Sequence, residues 1–227
     1  MICMPKKSAI NDLMAVMARL RSPTGCPWDR EQDHTTLRWH AVEEVYELMD
    51  AIEAGDDHEM IEELGDLLLQ VVFHAQLGSE RQAFDFEKIA ANIVEKLIRR
   101  HPHVFGDSKV KSVDAVWAQW DKIKLAEKTG TRHERSSVLD GVPRHLPGLL
   151  KAEKLVKKAR KGGLLDAAKT TRKPAKTAVA RELFELAAYA QSRGWSAEDL
   201  LRGEIRKREK AWRKAEPKKT IQTSAKK

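Results

Sequence analysis

The chain has 227 residues, of which 41% are hydrophobic and 33% are charged, so it can bury a core beneath a strongly charged surface. Aromatic residues make up 6%, and Gly and Pro number 12 and 8, too few for the many turns of a β-sandwich or β-barrel. Two cysteines, Cys3 and Cys26, exclude a disulfide-rich secreted scaffold. The first residues, MICMPKKSAINDL, lack the apolar core typical of a signal peptide, and no stretch reaches the ~18 apolar residues of a membrane span. We therefore expect a soluble, helical protein of the cytoplasm.

The first two predicted elements are amphipathic helices separated by a Pro- and Gly-containing break. Apolar residues recur at helical spacing over 8–21, and the sequence SPTGCPWD at 22–29 ends that helix. Thr35 or Thr36 can cap a second helix that runs as far as Gly55.

Two further helices follow directly. Asp56 or Asp57 can cap the third helix, which we expect to end before Gly78. The fourth covers 86–100 and is stopped by Pro102. The remaining predicted elements are a helix over 113–128, a polar segment over 129–137, a basic helix over 146–161, a linker over 161–176, helices over 178–193 and 196–215, and a basic tail from 217 that we expect to be disordered. Helices joined by short loops predict a bundle.

The charge is unevenly distributed. The net charge is +8, yet residues 41–66 contain eleven acidic residues and no Lys or Arg, so the rest of the chain carries 42 basic residues against 34 − 11 = 23 acidic ones. A run of like charge is usually solvated or disordered. Here, however, apolar residues recur at helical spacing throughout the acidic stretch. A segment that repels itself and yet packs against a core predicts a bound cation.

Five carboxylates in this stretch are spaced to share helix faces. Glu43, Glu44 and Glu47 have the spacing E-E-x-x-E, and Glu63 and Asp66 have the spacing E-x-x-D. Residues three or four apart are neighbours on one helix face, about 6 Å apart. The turn near Gly55 makes the two helices antiparallel neighbours, so carboxylates from both can face each other. Oxygen ligands of this kind suit Mg²⁺ or Mn²⁺, although acids lining a wet helix surface are the structural alternative.

The next helix ends in basic residues. Lys96 and Arg100 lie one turn apart, and a Lys point charge beside an Arg fork suits phosphate oxygens. The alternative is that they only complement the helix dipole. Acidic metal ligands beside basic anion ligands favour a polyphosphate as the bound molecule.

The segments that carry these residues resemble one family in order and spacing. They are CPWDREQ at 26–32, EEVYELMDAIE at 43–53, EELGDLLLQVVFHAQL at 62–77, KLIRRHPHVFGD at 96–107 and SVLDGVP at 137–143. Over about 10–161 the chain is similar to MazG nucleoside triphosphate pyrophosphohydrolases, of the all-α NTP pyrophosphatase superfamily. The resemblance implies an all-α, MazG-like helical bundle that hydrolyses NTPs or dNTPs to the monophosphate and pyrophosphate with Mg²⁺. It also implies a homodimer.

The resemblance also implies roles for individual residues. The implied metal ligands are Glu44, Glu47, Glu63 and Asp66, with Glu43 beside them. If the chain is such a hydrolase, we expect Glu43 or Glu47 to act as the general base. Lys96 and Arg100 would bind the phosphates, and Trp120 would contact the nucleotide. His40 stands where active copies of the domain often have Lys, and we place it among the substrate-binding residues.

Family members commonly carry two copies of the domain, and the second copy here is expected to be degenerate. Its E-E-x-x-E helix is missing, Ala178 and Arg181 stand at the E-x-x-D positions, and Ala211 replaces a phosphate ligand. The expected division is a MazG-like domain at 1–128, a connecting segment with the basic helix at 129–176, the degenerate copy at 177–216 and the basic tail at 217–227.

Two functions remain open at this point. One is the NTP pyrophosphohydrolase just described. The other is a non-catalytic nucleotide-sensing protein on the same scaffold, whose basic helix and tail bind an acidic partner or RNA. The basic helix has no interleaved aromatic residues, which argues against nucleic-acid binding, and no membrane association is expected.

Overall fold

The fold is known from a computed structural model, which describes residues 8–132, 134–165 and 174–217. All regular secondary structure in these ranges is helical, so the predicted all-α class is confirmed. No helix within them combines the length and apolarity needed to cross a bilayer. The α-helices are α1 (Ala9–Leu20), α2 (Pro27–Glu31), α3 (His40–Ala54), α4 (Asp57–Glu80), α5 (Phe86–Arg100), α6 (Pro102–Phe105), α7 (Val113–Ala126), α8 (Gly148–Lys161), α9 (Lys176–Ser192) and α10 (Ala197–Ala215).

The chain forms two compact units, Met1–Trp120 and Asp121–Lys227, and their boundary falls within α7. The sequence placed a domain boundary eight residues later, at 128, and the division into two domain copies stays a prediction. The middle of the predicted linker and the tail after 217 lie outside the described residues.

Helix α4 is the centre of the first unit, because α1, α3 and α5 all pack against it. The inner face of α4 contributes Val72, Phe73 and Leu77 to a core that also holds Met17 of α1 and Leu37. Each of these five side chains is buried, and burial of side chains of this size typically contributes about 1.5–3 kcal/mol each. The core therefore fixes α4 relative to α1.

The turn between α3 and α4 is as predicted. Gly55 has φ +68°, the left-handed conformation that ends many helices. Asp56 then caps α4, because its side chain accepts hydrogen bonds from the backbone N–H groups of His58 and Glu59. The tight turn leaves α3 and α4 packed side by side.

The predicted cap of α3 at Thr35 or Thr36 is wrong. The Asp33 carboxylate accepts the backbone N–H groups of both threonines, at 2.6 and 2.8 Å. This arrangement leads into a short 3₁₀-helix, Thr36–Arg38, and α3 begins only at His40. The side chain of Asp33 thus satisfies N–H groups that a threonine cap was expected to satisfy.

Gly78 lies inside α4, where the sequence predicted a helix end. It is buried, and a Cβ atom placed on it would overlap the ring of Phe84. Glycine is therefore needed for close packing of the chain that returns after α4, and the helix continues to Glu80. A helix tolerates an interior glycine at a cost of about 1 kcal/mol relative to alanine.

Arg21 connects the end of α1 to the end of α4 by a two-pronged ion pair with Glu80, with both N···O distances 2.7 Å. The same guanidinium donates to the backbone carbonyls of Asp29 and Gln32. These hydrogen bonds fix the position of α2, a short helix in a segment for which the sequence predicted only a break between helices. The Arg21 hydrogen bonds lower the pKa of the Glu80 carboxyl.

The second unit is built on α8 and α10. Leu155 and Ala159 of α8 pack with Ile205 of α10 and with Leu139. The α8 N-terminus is satisfied by the Glu198 carboxylate of α10, which accepts the Gly148 N–H at 2.8 Å.

The SVLDGVP segment forms a turn in this second unit. The Ser137 N–H donates to Asp140 at 3.0 Å, and the Ser137 hydroxyl accepts the Leu139 N–H at 3.1 Å. Asp140 in turn pairs with Arg213 of α10 at 2.7 Å. The turn thus directs Leu139 into the core, which is a structural role.

Candidate metal centre

The α3–α4 pair brings three of the predicted carboxylates together. Glu44 projects from α3, while Glu63 and Asp66 project from successive turns of α4. One carboxylate oxygen from each lies within 4.8 Å of the other two. Among the described residues, this is the one group of three or more acidic, His or Cys side chains close enough to hold a metal ion.

The electrostatics of this cluster oppose ionisation. Burial raises the pKa of Glu44, and the charges of Asp66, Glu47, Glu63 and Glu43 raise it further. Burial likewise raises the pKa of Glu63, followed by the charges of Glu47 and Asp66. Because the neighbouring negative charges make Glu44 and Glu63 harder to ionise, a divalent cation placed among the carboxylates would be favoured.

The cluster fits Mg²⁺ or Mn²⁺ in chemistry and nearly in size. Mg²⁺ binds oxygen at about 2.0–2.1 Å, so two of its ligands are at most about 4.2 Å apart. The oxygens of Glu44, Glu63 and Asp66 lie within 4.8 Å of one another, which is close to that limit. All three residues are half-buried, so the cluster is accessible to a ligand.

Glu47 and Glu43 lie beside the group of three. Glu47 is exposed and stands outside it, although its charge acts on both Glu44 and Glu63. Glu43 approaches His40 at 3.9 Å, and the His40 ring meets the edge of Trp28 with ring centroids 5.9 Å apart. Membership of Glu47 in the metal-ligand set stays a prediction.

The predicted phosphate ligands lie on α5. Lys96 and Arg100 are half-buried, whereas the neighbouring Glu95 and Arg99 are exposed, so the two share the less exposed side of the helix. Helix α5 packs on α4, which carries Glu63 and Asp66. The predicted anion ligands and metal ligands therefore lie on adjoining helices of one unit.

Trp120 lies in an aromatic group at the end of the first unit. Its ring meets the edge of His101 with centroids 5.0 Å apart and that of Trp117 at 5.2 Å. His103, in the same segment, is within 3.1 Å of the Gln119 amide oxygen through Nδ1. His101 and His103 thus have structural partners.

His34 and His74 form a second histidine group, which the sequence did not indicate. The Nδ1 atoms of His34 and His74 are 2.8 Å apart, and the two rings are stacked. Arg81 donates to Nε2 of His34 at 2.8 Å. His34 therefore carries its proton on Nδ1 and donates it to His74. The two histidines are far apart in sequence, so no local spacing could have indicated the pair.

Comparison with known proteins gives this geometry a context. The sequence profile of the MazG nucleotide pyrophosphohydrolase domain matches residues 32–105. That range contains α3, α4 and α5, and with them all the predicted metal and phosphate ligands.

Several relatives align over most of the chain. "Uncharacterized protein YabN" of Bacillus subtilis is 50% identical over 143 residues, which are 63% of this chain and 29% of that protein. The nucleoside triphosphate pyrophosphohydrolase of Escherichia coli is 46% identical over 155 residues, 68% of this chain and 58% of that protein. This chain thus spans less than two thirds of either relative.

A third relative is covered more fully. An uncharacterized 26.1 kDa protein of Streptomyces cacaoi is 42% identical over 193 residues, which are 84% of this chain and 76% of that protein. This relative is similar over most of its length, and the domain profile matches the helices that carry the carboxylates. The chain therefore belongs to the MazG nucleotide pyrophosphohydrolase family.

Proposed function

We propose that this protein hydrolyses nucleoside triphosphates, or their deoxy forms, to the monophosphate and pyrophosphate in a Mg²⁺-dependent reaction. The observation that carries the proposal is the meeting of Glu44, Glu63 and Asp66 within 4.8 Å, in surroundings that raise the pKa of two of them. The name of the Escherichia coli relative supports the same activity.

The metal ligands are Glu44, Glu63 and Asp66, with Glu47 as the fourth, and Mn²⁺ is an acceptable substitute for Mg²⁺. When bound, the ion would offset the charge of the triphosphate and lower the pKa of a coordinated water. The three carboxylates are half-buried and not fully buried, so a triphosphate could reach a metal ion that they hold.

The attacking water needs a base, and Glu43 and Glu47 are the candidates. Both are exposed enough to reach a water at the edge of the cluster. Glu47 acts electrostatically on two of the ligands, whereas Glu43 is 3.9 Å from His40. Either carboxylate would accept the proton as the water attacks the α-phosphorus and the bond to pyrophosphate breaks.

Side chains around the cluster would position the rest of the substrate. Lys96 and Arg100 would stabilise the charge that develops on the departing pyrophosphate. Trp120 would contact the nucleotide, and His40 would donate to it from the start of α3. The shared side of α5 supports the first assignment, and the family resemblance supports the assignment of Trp120. His40 stands where active copies of the domain often have Lys.

We further propose that the protein is a homodimer through the α3–α4 pair. Both helices expose large apolar side chains away from the core, which is unusual for a monomer surface. A second copy would cover them and complete a four-helix arrangement. The exposed residues are Val45, Met49 and Ile52 of α3 and Ile61, Leu64 and Leu68 of α4.

Sedimentation equilibrium tests the dimer. The chain mass is 25.8 kDa, so we expect twice that value, and a single-chain mass would contradict the proposal.

We also propose that the protein acts in the cytoplasm. The whole chain has only two cysteines, which fits a reducing compartment.

Pyrophosphate release from a panel of NTPs and dNTPs, with Mg²⁺ and with EDTA, tests the activity. We expect release with Mg²⁺ and none with EDTA. Absence of turnover with every nucleotide, despite Mg²⁺-dependent nucleotide binding, would instead favour the non-catalytic sensor.

A further inference from the structure

A second candidate site lies wholly within the second unit. A cleft of about 420 Å³ opens between the end of α7, the loop that leads to Ser137 and the last turns of α8. Clefts of this size are typical of sites for small molecules.

Positive charge dominates this cleft. Among the described residues, five cationic side chains line it against two carboxylates, a net charge of 5 − 2 = +3. Four of the five are half-buried, although lysines usually extend into solvent. The cationic residues are Lys124, Lys128, Arg135, Lys158 and Lys161.

The two carboxylates in the cleft already have partners. Asp121 forms an ion pair with Lys161, which lowers the pKa of the Asp121 carboxyl. Glu134 accepts the backbone N–H of Gly130 at 2.8 Å. Asp121 and Glu134 therefore help to hold the walls of the cleft together, and the net charge of its described lining stays positive.

Lys158 lies at the centre of this charge. Its ammonium donates to the Val138 carbonyl at 3.0 Å. Burial lowers its pKa, and so does the nearby charge of Arg135, while Asp140 and Asp121 act in the opposite direction. Asp140, however, is held by Arg213. Two cations are thus kept close together in a partly dry place, which an anion would stabilise.

We propose that this cleft binds an oligophosphate anion, either free or as part of a nucleotide, at a site separate from the carboxylate cluster. Lys and Arg side chains arriving from three segments suit several phosphate oxygens at once. A concave site of this volume fits a small anion better than an extended nucleic acid, and none of the described residues that line it is aromatic and able to stack on a base. Leu125 and Val138 are exposed at the cleft and would contact a nucleoside if one were attached.

The test is calorimetric binding of tripolyphosphate to the full chain in EDTA, which keeps metal from the first unit. We expect saturable binding that weakens by about tenfold or more in Lys124→Ala/Lys128→Ala, because two close cations are lost. The matched control, Lys154→Ala/Lys157→Ala, removes the same charge from exposed positions of α8 outside the cleft and should bind as the parent does. Lys124→Arg/Lys128→Arg should restore binding.

Equal weakening in both alanine variants would overturn the proposal, because it would indicate only general attraction to a basic protein. Retained binding in the cleft variant together with loss in Lys96→Ala/Arg100→Ala would also overturn it, since the anion would then lie on α5. Circular dichroism of each variant checks that it keeps the helical fold of the parent. Titrations with pyrophosphate and with ATP distinguish the sources: equal affinity indicates a free oligophosphate, and tighter ATP binding a nucleotide.

Discussion

Glu44 of α3 and Asp66 of α4 lie on neighbouring helices, with carboxylate oxygens within 4.8 Å of each other. After burial, the charge of Asp66 is the largest influence that raises the pKa of Glu44. The repulsion between them opposes folding of the metal-free protein and favours the metal-bound one. The same pair should therefore govern both activity and stability.

Glu44→Gln is expected to abolish Mg²⁺-dependent pyrophosphate release, because it removes a charged metal ligand. The melting temperature without metal should stay the same or rise, since a repulsive charge is lost. Glu53→Gln, at an exposed position later in α3, is the matched control and should keep both activity and melting temperature. Unfolding of the Glu44→Gln protein would show that Glu44 is structural.

Arg100→Ala is expected to lower kcat/KM by roughly 10²-fold, the usual cost of losing a donor to developing charge. Mg²⁺ affinity, measured by calorimetry, should be nearly unchanged, because the metal ligands are on other helices. Arg99→Ala removes the same charge from an exposed position on α5 and should leave kcat/KM within a few-fold. Parent-like kinetics in Arg100→Ala would place phosphate binding elsewhere.

A chain that ends at Lys128 is expected to retain pyrophosphate release within about tenfold, or ~1.4 kcal/mol of barrier. It keeps α1–α7 and every predicted site residue, and it removes α8 together with its packing partner α10. Ending instead at Lys161 would expose Leu155 and Ala159, which α10 buries. A folded but inactive short chain would show that the second unit contributes to catalysis.

Stability is expected to fall as the pH drops below 6.5, through the His34–His74 pair. Burial and the neighbouring His34 lower the pKa of His74 from 6.5, so the folded state favours the neutral ring. Its contribution is present above pH 6.5 and is lost as the pH falls through the lower, folded-state pKa. Urea unfolding should show a steeper loss for the parent than for His74→Gln, and parallel curves would contradict this.

Gly78→Ala is expected to destabilise the protein by about 1–3 kcal/mol, because the added methyl group overlaps the ring of Phe84. Gly65→Ala is the matched control in the same helix. A Cβ there would meet nothing within 4 Å, so it should stabilise α4 by up to about 1 kcal/mol. Urea unfolding at neutral pH measures both, and equal effects would contradict the packing explanation.

The parts of the fold that the sequence predicted correctly depend on local chemistry. The left-handed Gly55, the Asp56 cap and the exact bounds of α5 follow from residues within one turn of each boundary. The failures at Gly78 and at Thr35 or Thr36 have distant or competing causes. At position 78 only glycine leaves room for the ring of Phe84, which packs against the helix. The Asp33 carboxylate accepts the N–H groups of both threonines, so neither of them caps α3.

The candidate site shows the same limit. Helical spacing predicted that carboxylates of the two helices face each other, but it cannot say which oxygens meet, because that depends on the register between α3 and α4. The register brings Glu63 and Asp66 to Glu44 and leaves Glu47 outside the group of three. The basic cleft could not be predicted from the sequence either. Its cationic residues Lys124, Arg135 and Lys158 come from separate segments, and only the folded chain brings these segments together.

The tight turn at Gly55 and Asp56 has a consequence for the order of folding. The carboxylate helices are consecutive in the chain, so little loop entropy is lost when α3 and α4 meet, and contacts between such neighbours form quickly. Docking of α1 onto α4, by contrast, must close a much longer stretch of chain. We therefore expect α3 and α4 to pack together first. Their negatively charged side chains would then come close to one another before the core around α4 has formed.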